Sequence, residues 1–238
     1  MDATYKITVL GYPLLIIGTQ DIEHRFRPIA MALSKHERQK YYEFILRNIN
    51  AALEKYYCYS WKVDFVMGDA SESIYNASIA VFGNSHRHGM CSVHVFRNVE
   101  KKIASFVPTK FRKDLRSDLK FLENLPSTSL FEAGIKLFEE KWEGRIPEFL
   151  DYFFNEWIDS KFCYWYRGAI PVGFSHTNNG IEAFNSSIKK KYTNWERLHF
   201  QDFLSMIKNI IHDHSEKSTS TPFPVRFHNI ENFMVKSS

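Results

Sequence analysis

Apolar and polar positions in the first 35 residues fall into three short runs. Residues 4–10, 13–19 and 25–34 are dominated by β-branched and aromatic side chains, and Gly11-Tyr12-Pro13 and the polar residues 20–24 separate them. They read as three strands with connections short enough for antiparallel hairpins. The period then lengthens: Tyr41, Ile45, Ile49, Ala52, Leu53 and Tyr56 recur at helical spacing, which predicts an amphipathic helix over 37–57 crossing the sheet. Residues 61–67 alternate and close on Gly68-Asp69, a strand that delivers Asp69 at its carboxyl end, where open α/β sheets place ligands. A helix over 72–81 follows, with Ile74, Ala77 and Val81 facing inward, then a polar loop over 83–89 and a short fifth strand over 91–96.

From residue 97 to 163 the pattern turns helical, punctuated by Pro126, Gly144 and Pro147. Residues 97–174 therefore read as a helical insertion, and 1–96 with 175–238 as a split α/β core. Ser175-His176-Thr177-Asn178-Asn179-Gly180 is rich in helix-capping residues, and Ile181, Phe184 and Ile188 start a new amphipathic helix. A last helix is expected over 199–212, and the Ser/Thr/Pro run 215–224 reads as a loosely held tail.

Composition narrows the class. A chain of 238 residues, 44% apolar and 16% aromatic, has ample material for a core. Three cysteines form an odd set too sparse for a secreted disulfide scaffold, so no disulfide and an intracellular compartment are expected. No apolar run approaches the roughly 18 residues of a membrane span, and no leader is visible, so a membrane partner is not expected. The net charge of +4 suits a polyanion partner without requiring one. Local clustering says more. Between Arg97 and Lys120 eight Lys/Arg, among them Arg97, Lys101, Lys102, Arg112 and Lys113, face three acids and interleave with Phe106 and Phe111, and Lys189-Lys190-Lys191 follows later. These are candidate phosphate contacts, against the ordinary alternative of solvated helix faces.

Three acids fall where the predicted elements could bring them together: Asp2 entering the first strand, Asp69 ending the fourth, and Glu182 in the first turn of the late helix. Phosphodiester chemistry uses two hard divalent cations about 3.5–4 Å apart, and a few carboxylates suffice for magnesium, which keeps several waters. Asn185 and Lys189 share a face with Glu182. Each acid alone has a plainer role: a helix cap for Asp69, a dipole partner for Glu182, a frayed terminus for Asp2.

Read together, the motifs resemble the MULE (Mutator-like element) transposase domain. Asp2-Ala3-Thr4-Tyr5-Lys6 looks like that family's opening Asp-Gly-Thr-aromatic-Lys motif. Tyr12-Pro13-Leu14-Leu15, Gly18, Asp21 and Arg27-Pro28-Ile29-Ala30 are similar to its second and third strands, and Val66-Met67-Gly68-Asp69 to the segment with its second aspartate. Cys91-Ser92-Val93-His94 resembles its Cys-x-x-His element, and Asn178-Asn179-Gly180-Ile181-Glu182-Ala183-Phe184-Asn185 its glutamate motif. The resemblance implies a ribonuclease H-like mixed sheet flanked by helices, with the helical insertion between the fifth strand and the Glu-bearing helix. It also implies magnesium- or manganese-dependent DNA cleavage and strand transfer at transposon ends, with Asp2, Asp69 and Glu182 as catalytic metal ligands. DNA as partner, a dimer or higher oligomer and a nuclear location follow from the same resemblance.

Two departures carry an alternative. Met1 directly precedes Asp2, leaving no counterpart to the half-strand that anchors this aspartate in the family, and its zinc-finger modules are not visible. The alternative is a truncated or domesticated relative, catalytically silent, that binds DNA as a regulator. Cys91 and His94 supply two zinc ligands where a closed structural site needs four. His86, His88, Cys58, Cys163 and His176 are candidates to complete it, but a structural role or one supporting the acids, shared with Asn185, is preferred.

Overall fold

A computed structural model describes residues 1–20 and 25–218, with only the helical backbone described for 216–218. The polar break at 21–24 and most of the Ser/Thr/Pro run thus lie outside the described residues. The chain is mixed α/β and mostly helical, with a three-stranded antiparallel sheet and a two-stranded parallel one. Strands β1 (Asp2–Thr4), β2 (Leu14–Gln20) and β3 (Phe26–Leu33) form the first in the order β1-β2-β3. After α1 (Gln39–Tyr57), β4 (Phe65–Gly68) and α2 (Glu72–Phe82), β5 (Arg87–Met90) pairs parallel with β4. The remaining helices are α3 (Ser92–Phe106), α4 (Thr109–Glu123), α5 (Thr128–Trp142), α6 (Pro147–Phe153), α7 (Asn179–Ser187) and α8 (Phe200–Ser218).

The period-2 pattern of β2 organises the first half of the fold. Leu15 and Ile17 enter one cluster with Tyr42, Ile45, Leu46, Val66, Ile74 and Ala77, beneath α1 and α2. Leu14 and Ile16 enter another with Ile181, Phe184, Ile188, Phe203, Met206 and Ile210, beneath α7 and α8. Successive side chains of a strand point to opposite faces, so four consecutive buried apolar residues mark a strand covered by helices on both sides. A bulge between Ile17 and Gly18 shifts the β2–β3 register. A Cβ at Gly18 would lie 2.5 Å from the Arg27 carbonyl oxygen, so that close approach requires glycine.

A third cluster gathers α3 to α6 around Trp142, Phe149, Phe153, Trp157 and Trp165 and extends to Met90. The Trp165 indole N–H donates to the Trp157 carbonyl at 2.9 Å, which satisfies its one polar atom inside this aromatic core.

The first and fifth expected strands differ. The first ends at Thr4: Lys6 takes a positive φ of 63°, and the chain beyond forms only an isolated bridge between Thr8 and Leu198, while Ile7 packs against Leu14 and Ile16 of β2. Residues 91–96 are the start of α3, not a fifth strand, because Val95, Val99 and Ile103 form a buried stripe at i, i+4 and i+8. The actual fifth strand, β5, lies inside the expected polar loop, where His88, Gly89 and Met90 are buried.

Candidate functional site

Backbone hydrogen bonds at the end of β4 draw three distant segments together. The Cys91 N–H donates to the Gly68 carbonyl at 3.0 Å, seating the start of α3 on the strand that ends beside Asp69. The Ser92 N–H donates to the His176 carbonyl at 3.3 Å, and the Asn178 N–H donates to the Cys91 sulfur at 3.2 Å. The amino ends of α3 and α7 are thereby tied to each other. His94 and Glu182, each in the first turn of its helix, meet across that seam with Nε2 and Oε1 3.5 Å apart. Arg97, one turn further along α3, places its Nη1 3.8 Å from the same Glu182 oxygen.

Asp2 arrives from the sheet. Its Oδ2 accepts a 2.7 Å hydrogen bond from Asn185 Nδ2, on the α7 turn after Glu182. The Met1 ammonium, buried at the same strand end, donates to the Met67 carbonyl of β4 at 3.0 Å, so β1 lies beside β4 and Asp2 near Asp69. Burial, with the Asp69 charge adding to it, pushes the Asp2 carboxyl up to about 6 against the opposing Ala3 backbone hydrogen bond. Burial also raises Asp69, opposed by His94 and reinforced by Glu37. The Ser71 backbone N–H also opposes the rise, but the N-cap of α2 is Ser71 and not Asp69, and the Asp69 Oδ1 is buried with no hydrogen-bond partner.

Glu37 is the neighbour that sequence reasoning missed. It accepts hydrogen bonds from Tyr5 at 2.5 Å and Tyr42 at 3.0 Å, and its charge reaches Asp69. It stands outside every motif at the entrance to α1, so only the packing of Tyr5 over α1 reveals it. Cys91 and His94 are coupled across the first turn of α3. Contact with the Cys91 thiol raises the imidazole above its ordinary range despite burial, and Asp69 and Glu182 add to this. Burial pushes the Cys91 thiol up, but His94 and the Asn178 and His94 backbone N–H groups outweigh it, so the net shift is downward. His94 Nδ1 itself is buried with no hydrogen-bond partner.

The expected basic residues divide by what already engages them. Arg112 donates to the Val107 and Ala104 carbonyls at 2.8 and 2.9 Å and so closes the carboxyl end of α3. Lys191 pairs with Asp213, and Lys102 lies over the Phe106 and Tyr152 rings. Arg97, Lys101 and Lys113 are exposed, as is Lys190 in the wide helical turn Ile188–Tyr192, where Lys189 is half-buried.

Hard carboxylate oxygens such as those of Asp2 and Asp69 suit magnesium or manganese, and the orphaned Asp69 Oδ1 is a donor with no other occupation. Among the described residues, no three His, Cys, Asp or Glu side chains cluster tightly enough to enclose an ion. Glu182 is instead turned toward His94 and Arg97. Of the three expected acids, Asp2 and Asp69 lie close enough for each charge to act on the other, while Glu182 is directed to its basic neighbours.

Residues 1–98 match the MULE transposase domain. That segment includes Asp2, Asp69, Cys91, His94 and Arg97, whereas Glu182 and Asn185 lie outside it. No curated protein matches the chain. No helix among the described residues is long and apolar enough to cross a membrane.

Proposed function

We propose, from a chain whose first 98 residues match the MULE transposase domain, that this protein is the catalytic core of a MULE-type DNA transposase. In this reading β3-β2-β1-β4-β5 make one mixed, ribonuclease H-like sheet, linked between β1 and β4 through the Met1–Met67 hydrogen bond. The core is residues 1–96 with 175–238, and 97–174 the helical insertion, with α3 packing on the insertion side. The observation that carries the proposal is the convergence of Asp2, Asp69 and the Glu182-bearing helix on the seam at Cys91.

Asp2 and Asp69 would hold magnesium or manganese, with Glu182 as the third ligand. Such a metal pair activates the attacking water or 3′-hydroxyl and stabilises the leaving oxygen. The chain's own residues prepare the site. Asn185 fixes the rotamer of Asp2, His94 holds Glu182 close by, and Arg97 offers a guanidinium where a phosphate would arrive. With Asp2 raised by roughly two units, its ionised form costs about 3 kcal/mol in the folded protein, which a cation would recover. Lys101, Lys113, Lys189 and Lys190 would neutralise backbone phosphates, and pairing two transposon ends in a nucleus would need at least a dimer.

The test is nicking of supercoiled plasmid DNA by the purified chain. Cleavage is expected with magnesium or manganese, none with chelator, and none with Asp69→Ala; equal nicking by wild type and Asp69→Ala defeats the proposal. The engagement of Glu182 by His94 and Arg97 favours a second reading, a silent DNA-binding regulator. It predicts DNA retention indifferent to chelator, with the plasmid left intact.

A further inference from the structure

Beside the acids, α3 and α4 leave a groove of about 550 Å³ open to solvent. Its floor is apolar, formed by Val93 and the half-buried ring of Phe96, and its rim is charged. Both acids on that rim are already neutralised: Glu100 by a bidentate pair with Arg116 at 2.7 Å, and the buried Glu123 by Lys120. The cations left to a ligand are Arg97 and Lys101, and Arg97 is the residue that also meets Glu182. An aromatic floor, two available cations and a shared wall with the acid site therefore occur in one concavity.

We propose that this groove binds one unstacked nucleotide of a DNA strand, its base on Phe96 and its phosphate on Arg97 and Lys101, next to the phosphodiester that the acids address. This rests on the transposase reading and deepens it. A base inside a duplex has both faces covered by its neighbours, so only a base turned out of the stack can use the Phe96 ring. The Lys120 ammonium now lies 5.5 Å from the centre of that ring, so this side of the ring is approached from the groove. The Lys120 side chain is 64% exposed but stays on Glu123 at the rim, so the phosphate is left to Arg97 and Lys101. Stacking on one aromatic ring tolerates any sequence because every base has a π-face, and a site of this volume falls within the roughly 300–1,000 Å³ of small-ligand pockets.

The experiment uses the full chain, in chelator so that cleavage plays no part, and dye-labelled single-stranded oligothymidine beside the same backbone made abasic. Anisotropy titration is expected to show the intact strand binding about tenfold tighter. Phe96→Leu should remove that preference and Phe96→Tyr keep it, while Lys101→Ala should weaken both strands alike. Phe121→Leu, on the exposed face of α4, should change neither. Photocrosslinking with 5-iodouracil should label the 92–101 peptide of the unaltered protein, an arm that does not depend on any variant folding. No preference for the intact strand, a preference that survives Phe96→Leu, or crosslinks mapping elsewhere would overturn the proposal. The plasmid assay separates it from the parent reading: base preference without nicking leaves the groove and removes the transposase, and nicking without base preference does the reverse.

Discussion

Asn185 reaches across 183 positions of chain to donate a 2.7 Å hydrogen bond to the Asp2 carboxylate, and so links the first strand to the helix that carries Glu182. The Asn185 Oδ1 has no partner in return, so the amide is oriented by Asp2 alone. Removing a residue that orients a metal ligand generally costs ten- to a hundredfold in metal affinity. Asn185→Ala is therefore expected to raise the magnesium concentration for half-maximal nicking by about tenfold or more with the fold intact. An unchanged magnesium titration would show that Asp2 needs no such support.

A cation that recovers the cost of two buried carboxylates must also stabilise the folded chain. At ten times its dissociation constant a ligand contributes about 1.4 kcal/mol, which for a chain of this size corresponds to a rise in Tm of about 3–6 °C. Thermal unfolding in chelator and in manganese should show that rise for the wild type and not for Asp69→Ala. Equal shifts in both would place the bound metal elsewhere.

The His88 ring gives acid sensitivity a distinct origin. It is 3% exposed, both ring nitrogens lack partners, and burial lowers its pKa from 6.5 to about 3. Between those values the unfolded chain binds a proton that the folded chain refuses, so His88 makes stability fall as pH falls, by about 1.4 kcal/mol per unit. Asp2 acts in the opposite sense. Its folded pKa of about 6 exceeds the ordinary 3.8, so within that window the folded state holds the extra proton and gains stability as pH falls. Only the difference between wild type and His88→Phe isolates the histidine. Urea midpoints at neutral and mildly acidic pH should separate progressively in favour of His88→Phe, and parallel profiles would refute the assignment.

Cys91 holds the seam through its sulfur. Cys91→Ala would leave the buried Asn178 N–H without an acceptor, at a cost of about 1–3 kcal/mol. Cys91→Ser keeps an acceptor there. A lowered Tm for Cys91→Ala, with most of the loss recovered in Cys91→Ser, is the expected result; equal losses in both would point to packing volume instead.

Several features were fixed by local chemistry. The buried run Leu14-Leu15-Ile16-Ile17, the 3.6-residue period of α1 and the capping-rich segment before Glu182 each specify their element within a dozen residues. The motif order likewise placed Asp69 at a strand end and Glu182 in a first helical turn, and both positions hold. What only the tertiary structure decided lay in segments whose local signal was ambiguous or absent. Cys91 to Phe96 alternates over too short a window to separate strand from helix, and the apolar stripe through Ile103 settles it by packing onto the aromatic core. Lys6 breaks the first strand through a positive φ that no side-chain pattern announces. The meeting of Glu182 with His94 and Arg97, and of Asp2 with Asn185, depends on hydrogen bonds between helix and strand ends far apart in the chain. Residue types could nominate those partners, but the seam at Cys91 determined which of them touch.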